Sequence, residues 1–101
     1  MTRRFTILPQ AELDVSDAAA WYEERRAGLG DDFLDELDSV LRRVIKNPLQ
    51  FPKVKNGVRR ALLGRFPYSV YFGVTRETLE FIALIHQHRN PRIWQKRMIT
   101  E

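Results

Sequence analysis

The sequence predicts an α+β fold of order β-α-α-β-β-β, in which an antiparallel two-helix hairpin packs on a mainly antiparallel four-stranded sheet, with residues 1–101 forming a single domain. Three observations carry this. Apolar residues recur at helical spacing from Ala11 to Val44, β-branched and aromatic residues crowd three short runs from Val58 to Ile85, and the connections within each half are brief. A hairpin of helices and a meander of strands each have one apolar face, and packing one on the other buries both.

The first strand is read at Arg3–Leu8, where Phe5 and Ile7 share one side of the pleat and Pro9 closes the run. The first helix follows from Pro9, tolerated in the opening turn, to about Arg26, with Ala11, Val15, Ala18 and Tyr22 at steps of four, three and four. Gly28-Leu29-Gly30 reads as the turn, and Asp31 or Asp32 as the residue that accepts hydrogen bonds from the first free N–H groups of the second helix. Phe33, Leu37, Val40, Leu41 and Val44 form that helix's apolar stripe, and Asn47-Pro48 ends it because the residue before proline is pushed out of the helical region.

Residues 48–57 read as a loop. Strands at Val58–Leu63, Tyr68–Val74 and Leu79–Ile85, separated by four-residue connections, make an antiparallel meander. The first strand joins this sheet at an edge. His86–Arg97 is polar and basic and reads as an exposed tail or a short final turn of helix.

Charge divides along the chain. Residues 1–50 carry 7 lysines and arginines against 10 acids, and residues 51–101 carry 10 against 3, a balance of −3 followed by +7. A basic half of this size favours encounter with a polyanion or an acidic protein. The absence of cysteine removes disulfides, thiolate nucleophiles and sulfur-bound zinc, and is compatible with a reducing compartment. No apolar run is long enough to span a bilayer, so a cytoplasmic protein without membrane contact is expected.

The candidate target-binding patch comprises Arg59, Arg60, Arg65, His86, His88, Arg89, Arg92, Lys96 and Arg97. Guanidinium groups and imidazoles together can bind phosphate, and they can cleave RNA if histidine moves protons while arginine holds the charged transition state. The alternative for each residue is a solvated surface charge or a structural hydrogen bond. His86 and His88 have the spacing of two metal ligands, but no cysteine or nearby acid completes a set, so neither a metal nor a cofactor is expected. Ser39 and Ser69 lack base and orienting partners, and Gly28 and Gly30 precede two aspartates that would repel a phosphate. Trp21 lies about 100° round the helix from Tyr22, at the core margin or in a partner groove, and Trp94 must pack on the body or on a partner.

Taken jointly, several segments resemble the RelE/ParE toxin family across nearly the whole chain. They are Ala18-Ala19-Ala20-Trp21-Tyr22-Glu23, Gly28-Leu29-Gly30-Asp31-Asp32-Phe33, Asn47-Pro48, Gly57-Val58-Arg59-Arg60, Phe66-Pro67-Tyr68-Ser69-Val70-Tyr71 and the stretch from His86 to Trp94. The resemblance implies a cognate antitoxin that wraps the toxin with a helix or extended segment, often beside the helical hairpin, and it makes Trp21 and Trp94 the candidate antitoxin contacts. Promoter DNA would be met only through that antitoxin.

It also implies one of two targets, since RelE-like members cleave messenger RNA on the ribosome and ParE-like members are associated with poisoning DNA gyrase. The RelE branch places an arginine after the tyrosine that opens the middle strand of the meander, a basic residue after the last strand and a tyrosine shortly beyond. Those positions here are Ser69, His88 and Trp94. The Phe66-Pro67-Tyr68 opening and the closing stretch from His86 to Trp94 look more like ParE, and the activity this implies is growth inhibition by binding gyrase. Two alternatives stand beside it: a ribosome-dependent endoribonuclease using Arg60, His88 and Arg89, and a toxin-derived binding module without toxicity.

Overall fold

A computed structural model describes residues 2–99. The chain runs β1 (Arg4–Ile7), α1 (Pro9–Arg25), α2 (Leu29–Lys46), a 3₁₀ turn (Pro48–Gln50), β2 (Lys53–Lys55), β3 (Val58–Leu62), β4 (Tyr68–Val74), β5 (Thr78–His86) and α3 (Arg92–Ile99). The strands form one sheet of order β1-β5-β4-β3-β2. β2 to β5 are antiparallel neighbours, and β1 pairs in parallel with β5, Arg4 opposite Thr78 and Ile7 opposite Phe81, at the expected edge.

The sheet has five strands rather than the expected four. Within the stretch read as loop, Lys53–Lys55 turns back on β3 through Asn56-Gly57, whose φ values of 51° and 78° suit a two-residue hairpin turn. Lys53, Val54 and Lys55 are all exposed, so this strand is held by backbone pairing alone and carries no apolar alternation to announce it.

α1 begins at Pro9 as expected. α2 begins at Leu29, its cap position at Gly28, three or four residues before the expected Asp31 or Asp32, with Gly28 in the left-handed region at φ 90°. The cap comes from α1: the Glu23 carboxylate accepts from the Gly28 N–H and the Gly30 N–H, each at 3.0 Å. Gly30 thus lies inside the helix, where a Cβ would stand 2.8 Å from the Ala19 carbonyl oxygen. Asp31 and Asp32 fall in the first turn, where negative charge suits the helix dipole.

One face of the sheet carries the hairpin. Phe33, Leu37, Val40 and Val44 of α2 and Ala11, Ala18 and Tyr22 of α1 close over Val70, Phe72, Leu79, Phe81 and Leu84. The other face holds a second apolar cluster of Val58, Tyr71, Ile82, Ala83 and Ile85 under Trp94. A bulge in the β4–β5 pairing makes this division possible: Tyr71 opposes Ala83 and Phe72 opposes Phe81, so Ile82 is the extra residue and turns away from the hairpin with Ala83. The C-terminal segment is therefore a two-turn helix docked on the sheet rather than a free tail. No helix among the described residues is long and apolar enough to cross a membrane.

Candidate functional site

A concavity of about 740 Å³ opens where α1, the start of β4, the end of β5 and the α3 region meet. It lies at the part of the β5 edge that β1 does not reach, because β1 pairs only with Thr78–Phe81 and β5 continues to His86. An uncovered strand edge leaves backbone groups needing partners. Asp14 and Arg97 supply them. The Asp14 carboxylate accepts from the Leu84 N–H at 3.0 Å, and Arg97 donates to the Ile82 carbonyl at 3.0 Å. Arg97 also holds both oxygens of Asp14, at 2.7 and 3.1 Å, joining α1, β5 and α3.

Asp14 escaped the candidate list, although it stands three residues after Ala11 and four before Ala18, within the buried stripe of α1. A carboxylate at such a position signals a cation on the facing element.

The walls of the cleft are aromatic. Trp21, half exposed, meets Tyr22 edge-on at 5.1 Å and carries the Arg25 guanidinium 3.8 Å above its ring. Tyr68 meets the His86 ring at 5.1 Å, and His86 meets His88 at 5.3 Å. Burial raises the Tyr68 phenol above its usual value, Arg89 opposing that shift and Asp14 adding to it; burial and Tyr68 raise Tyr22. Both phenols therefore face the cleft region as neutral groups able to donate and accept.

The nine residues of the expected basic patch do not share one surface. Arg59 donates to the carbonyls of Phe51, at 2.6 Å, and Leu49, at 3.3 Å, fastening the loop before β2. Arg65 approaches Asp32 at 4.0 Å and Phe66 at 5.5 Å, while its backbone N–H and that of Gly64 donate to Glu36. Arg97 is neutralised in the Asp14 pair. Arg60 lies half-buried on β3, its buried Nε without a partner. His88, Arg89, Arg92 and Lys96 remain exposed along the β5–α3 turn and α3.

Arg60, His88 and Arg89 are not brought together. Arg60 stands opposite Tyr71, which stands opposite Ala83, three residues before His86. Two strand spacings and three residues of rise separate the Arg60 and His86 backbones by ~14 Å. They also lie on opposite faces of the sheet: Arg60 is on the side where Trp94 stacks on Tyr71 at 5.8 Å, and His86 is on the hairpin side with Tyr68. The rings of His86 and His88 are close, but the His86 Nδ1 accepts the His88 N–H at 3.1 Å, and no group of three or more potential ligands able to hold a metal occurs among the described residues. Trp94 is 3% exposed, which corrects its candidacy as a partner contact: its ring is spent on the second apolar cluster. Trp21 keeps an open face.

No family model matches the chain. Toxin ParE2 of Mycobacterium tuberculosis, in strains CDC 1551 / Oshkosh and H37Rv alike, is 29% identical over 96 residues, covering 90% of this chain and 88% of ParE2. Among solved structures, a chain of the chromosomal ParDE TA system from P. aeruginosa superposes with a TM-score of 0.70 at 16% identity, covering 84% of this chain and 96% of that one. A chain of the E. coli DinJ-YafQ toxin-antitoxin complex superposes with a TM-score of 0.59 at 18% identity, covering 83% of this chain and 91% of that one.

Proposed function

We propose that this chain, which belongs to the RelE/ParE toxin family, is the ParE-like toxin of a toxin–antitoxin pair, acting by binding DNA gyrase and held inactive by a cognate antitoxin. Binding rather than bond-breaking is favoured by one observation above the others: Arg60 lies on the Tyr71–Trp94 face of the sheet while His86 meets Tyr68 on the hairpin face, so the basic groups a nuclease would gather around a scissile phosphate are kept apart. Catalysis of phosphate cleavage depends on positive charge converging within a few ångströms of one phosphorus.

The target contact falls to the exposed basic side chains of the turn and α3, Arg89 and Arg92 foremost, with His88 and Lys96 beside them. The antitoxin contact falls to the aromatic cleft, where Trp21, Tyr22 and Tyr68 border the uncovered end of β5. An extended segment entering there meets apolar rings for affinity and polar atoms for register. Amphipathic rings of this kind dominate the energetics of protein interfaces.

Induced expression without antitoxin, with DNA breaks and messenger cleavage read in the same cells, tests the proposal. DNA breaks with intact messages are expected. Cleaved messages with intact DNA would replace it with the ribonuclease reading, and growth without either lesion would indicate a toxin-derived module that only binds.

A further inference from the structure

Helix α2 presents a second apolar surface beside its buried stripe. Leu34, Leu41 and Ile45 lie within about 40° of one another around the helix. Leu34 is 39% and Ile45 48% exposed, and Leu41 is half-buried against the core. No residue of α2 lines the aromatic cleft, so this surface is separate from it.

The charges that flank the stripe change sign at its centre. Asp31, Asp32, Asp35, Glu36 and Asp38 occupy the N-terminal half of α2 with no base among them, and Arg42, Arg43 and Lys46 occupy the C-terminal half with no acid. Asp31, Asp35, Asp38, Arg42 and Lys46 follow Leu34 and Ile45 round the helix within about 120°. The helix dipole explains why acids precede bases. It does not explain an exposed leucine and isoleucine six and five residues on either side of the midpoint between Asp38 and Arg42, where the sign changes.

A two-fold axis through that point explains both features. An isologous interface sets each patch against itself reversed, so a surface fits its own copy when its two halves are complementary. Two α2 helices crossing antiparallel would place Leu34 of one copy against Ile45 of the other, at both ends, and Asp35 of each beside Arg42 and Lys46 of its mate. The Asp38–Arg42 pair, 2.8 Å apart within one helix, would lie beside the axis and meet its own inverse.

We propose that the α2 face is a self-association surface, and that its occupant is a second copy of this chain. The arrangement leaves the aromatic cleft and the basic side chains of α3 in each copy open, so the pairing is independent of which target the toxin engages.

Sedimentation of the full chain across a dilution series tests this. A reversible dimer is expected, and Leu34→Glu or Ile45→Glu should render the chain monomeric with unchanged circular dichroism, since both side chains are exposed. Asp35→Lys and Lys46→Glu should each weaken the dimer by about tenfold or more at low salt, because every contact occurs twice and like charges then face one another. The double variant Asp35→Lys/Lys46→Glu should restore it to within about threefold of the parent. A chain monomeric at every concentration overturns the proposal, as does a dimer indifferent to the stripe substitutions or a double variant no tighter than the single ones.

Discussion

Arg97 grips Asp14 with two hydrogen bonds of 2.7 and 3.1 Å across 83 positions of sequence, and the pair takes the place of the strand that β5 lacks at its C-terminal end. Asp14 satisfies the Leu84 N–H while Arg97 satisfies the Ile82 carbonyl, so the pair protects an edge and ties down α3 together. Both side chains are mostly buried, and removing either leaves the other charge with fewer partners in a poorly solvated place. Asp14→Ala or Arg97→Ala should each lower stability by about 2–3 kcal/mol in urea unfolding. The double variant should lose less than the sum, and additivity would show that the two do not act as a unit.

Trp94 and Trp21 should separate cleanly. Trp94→Ala removes the lid of the second apolar cluster and should cost about 3–5 kcal/mol, with melting of α3 visible in circular dichroism. Trp21→Ala should cost less than about 1 kcal/mol, because half its surface is already in water, and should instead weaken antitoxin binding by tenfold or more, measured by calorimetry. Equal effects of the two on unfolding would contradict the division of roles.

Gly30→Ala drives a methyl group toward the Ala19 carbonyl oxygen, 2.8 Å away, and against the Glu23 carboxylate that caps α2. A loss of about 1–3 kcal/mol is expected. Gly28→Ala meets no neighbour within 4 Å and should cost about 1 kcal/mol through its positive φ alone. Chemical denaturation of both variants gives the order, and a larger loss at Gly28 would refute it.

The two raised phenols make stability depend on alkaline pH. Burial lifts Tyr68 and Tyr22 above 10.0, so above that value the unfolded chain sheds these protons first. Their contribution is fully present below the unfolded value and is lost as pH rises through the folded one. Spectroscopic titration should find these tyrosinates forming above the usual range in the native protein, and Tyr68→Phe should flatten the alkaline fall in stability. Ordinary titration of Tyr68 in the folded chain would count against its burial.

Arg60→Ala should leave toxicity unchanged if the toxin acts by binding through the basic side chains of the turn and α3, and Arg89→Ala/Arg92→Ala should reduce it. Growth arrest on induction measures both. Rescue of growth by Arg60→Ala alone would return the residue to a catalytic role.

Much of the architecture was written in local pattern. The stripes Ala11–Tyr22 and Phe33–Val44 gave both helices, and three β-rich runs gave the meander, because burial of one face imposes a period that neighbouring residues display. β2 was not legible as a strand: Asn56-Gly57 suits a hairpin turn, but the exposed Lys53-Val54-Lys55 offered no alternation to join to it. The cap of α2 was missed because its carboxylate belongs to Glu23, on the other helix.

The sequence by itself determined the two helices, the meander and the acidic-then-basic division of charge, since each depends on residues close along the chain. Only the tertiary structure decided which cations remain available. Arg59 and Arg97 carry the same charge as Arg89 and Arg92, yet the first two are engaged by the carbonyls of Leu49 and Phe51 and by Asp14, and the latter two face water. Periodicity keeps no record of a partner 83 residues away, and a guanidinium's function depends on which acceptors the fold brings within 3 Å of it.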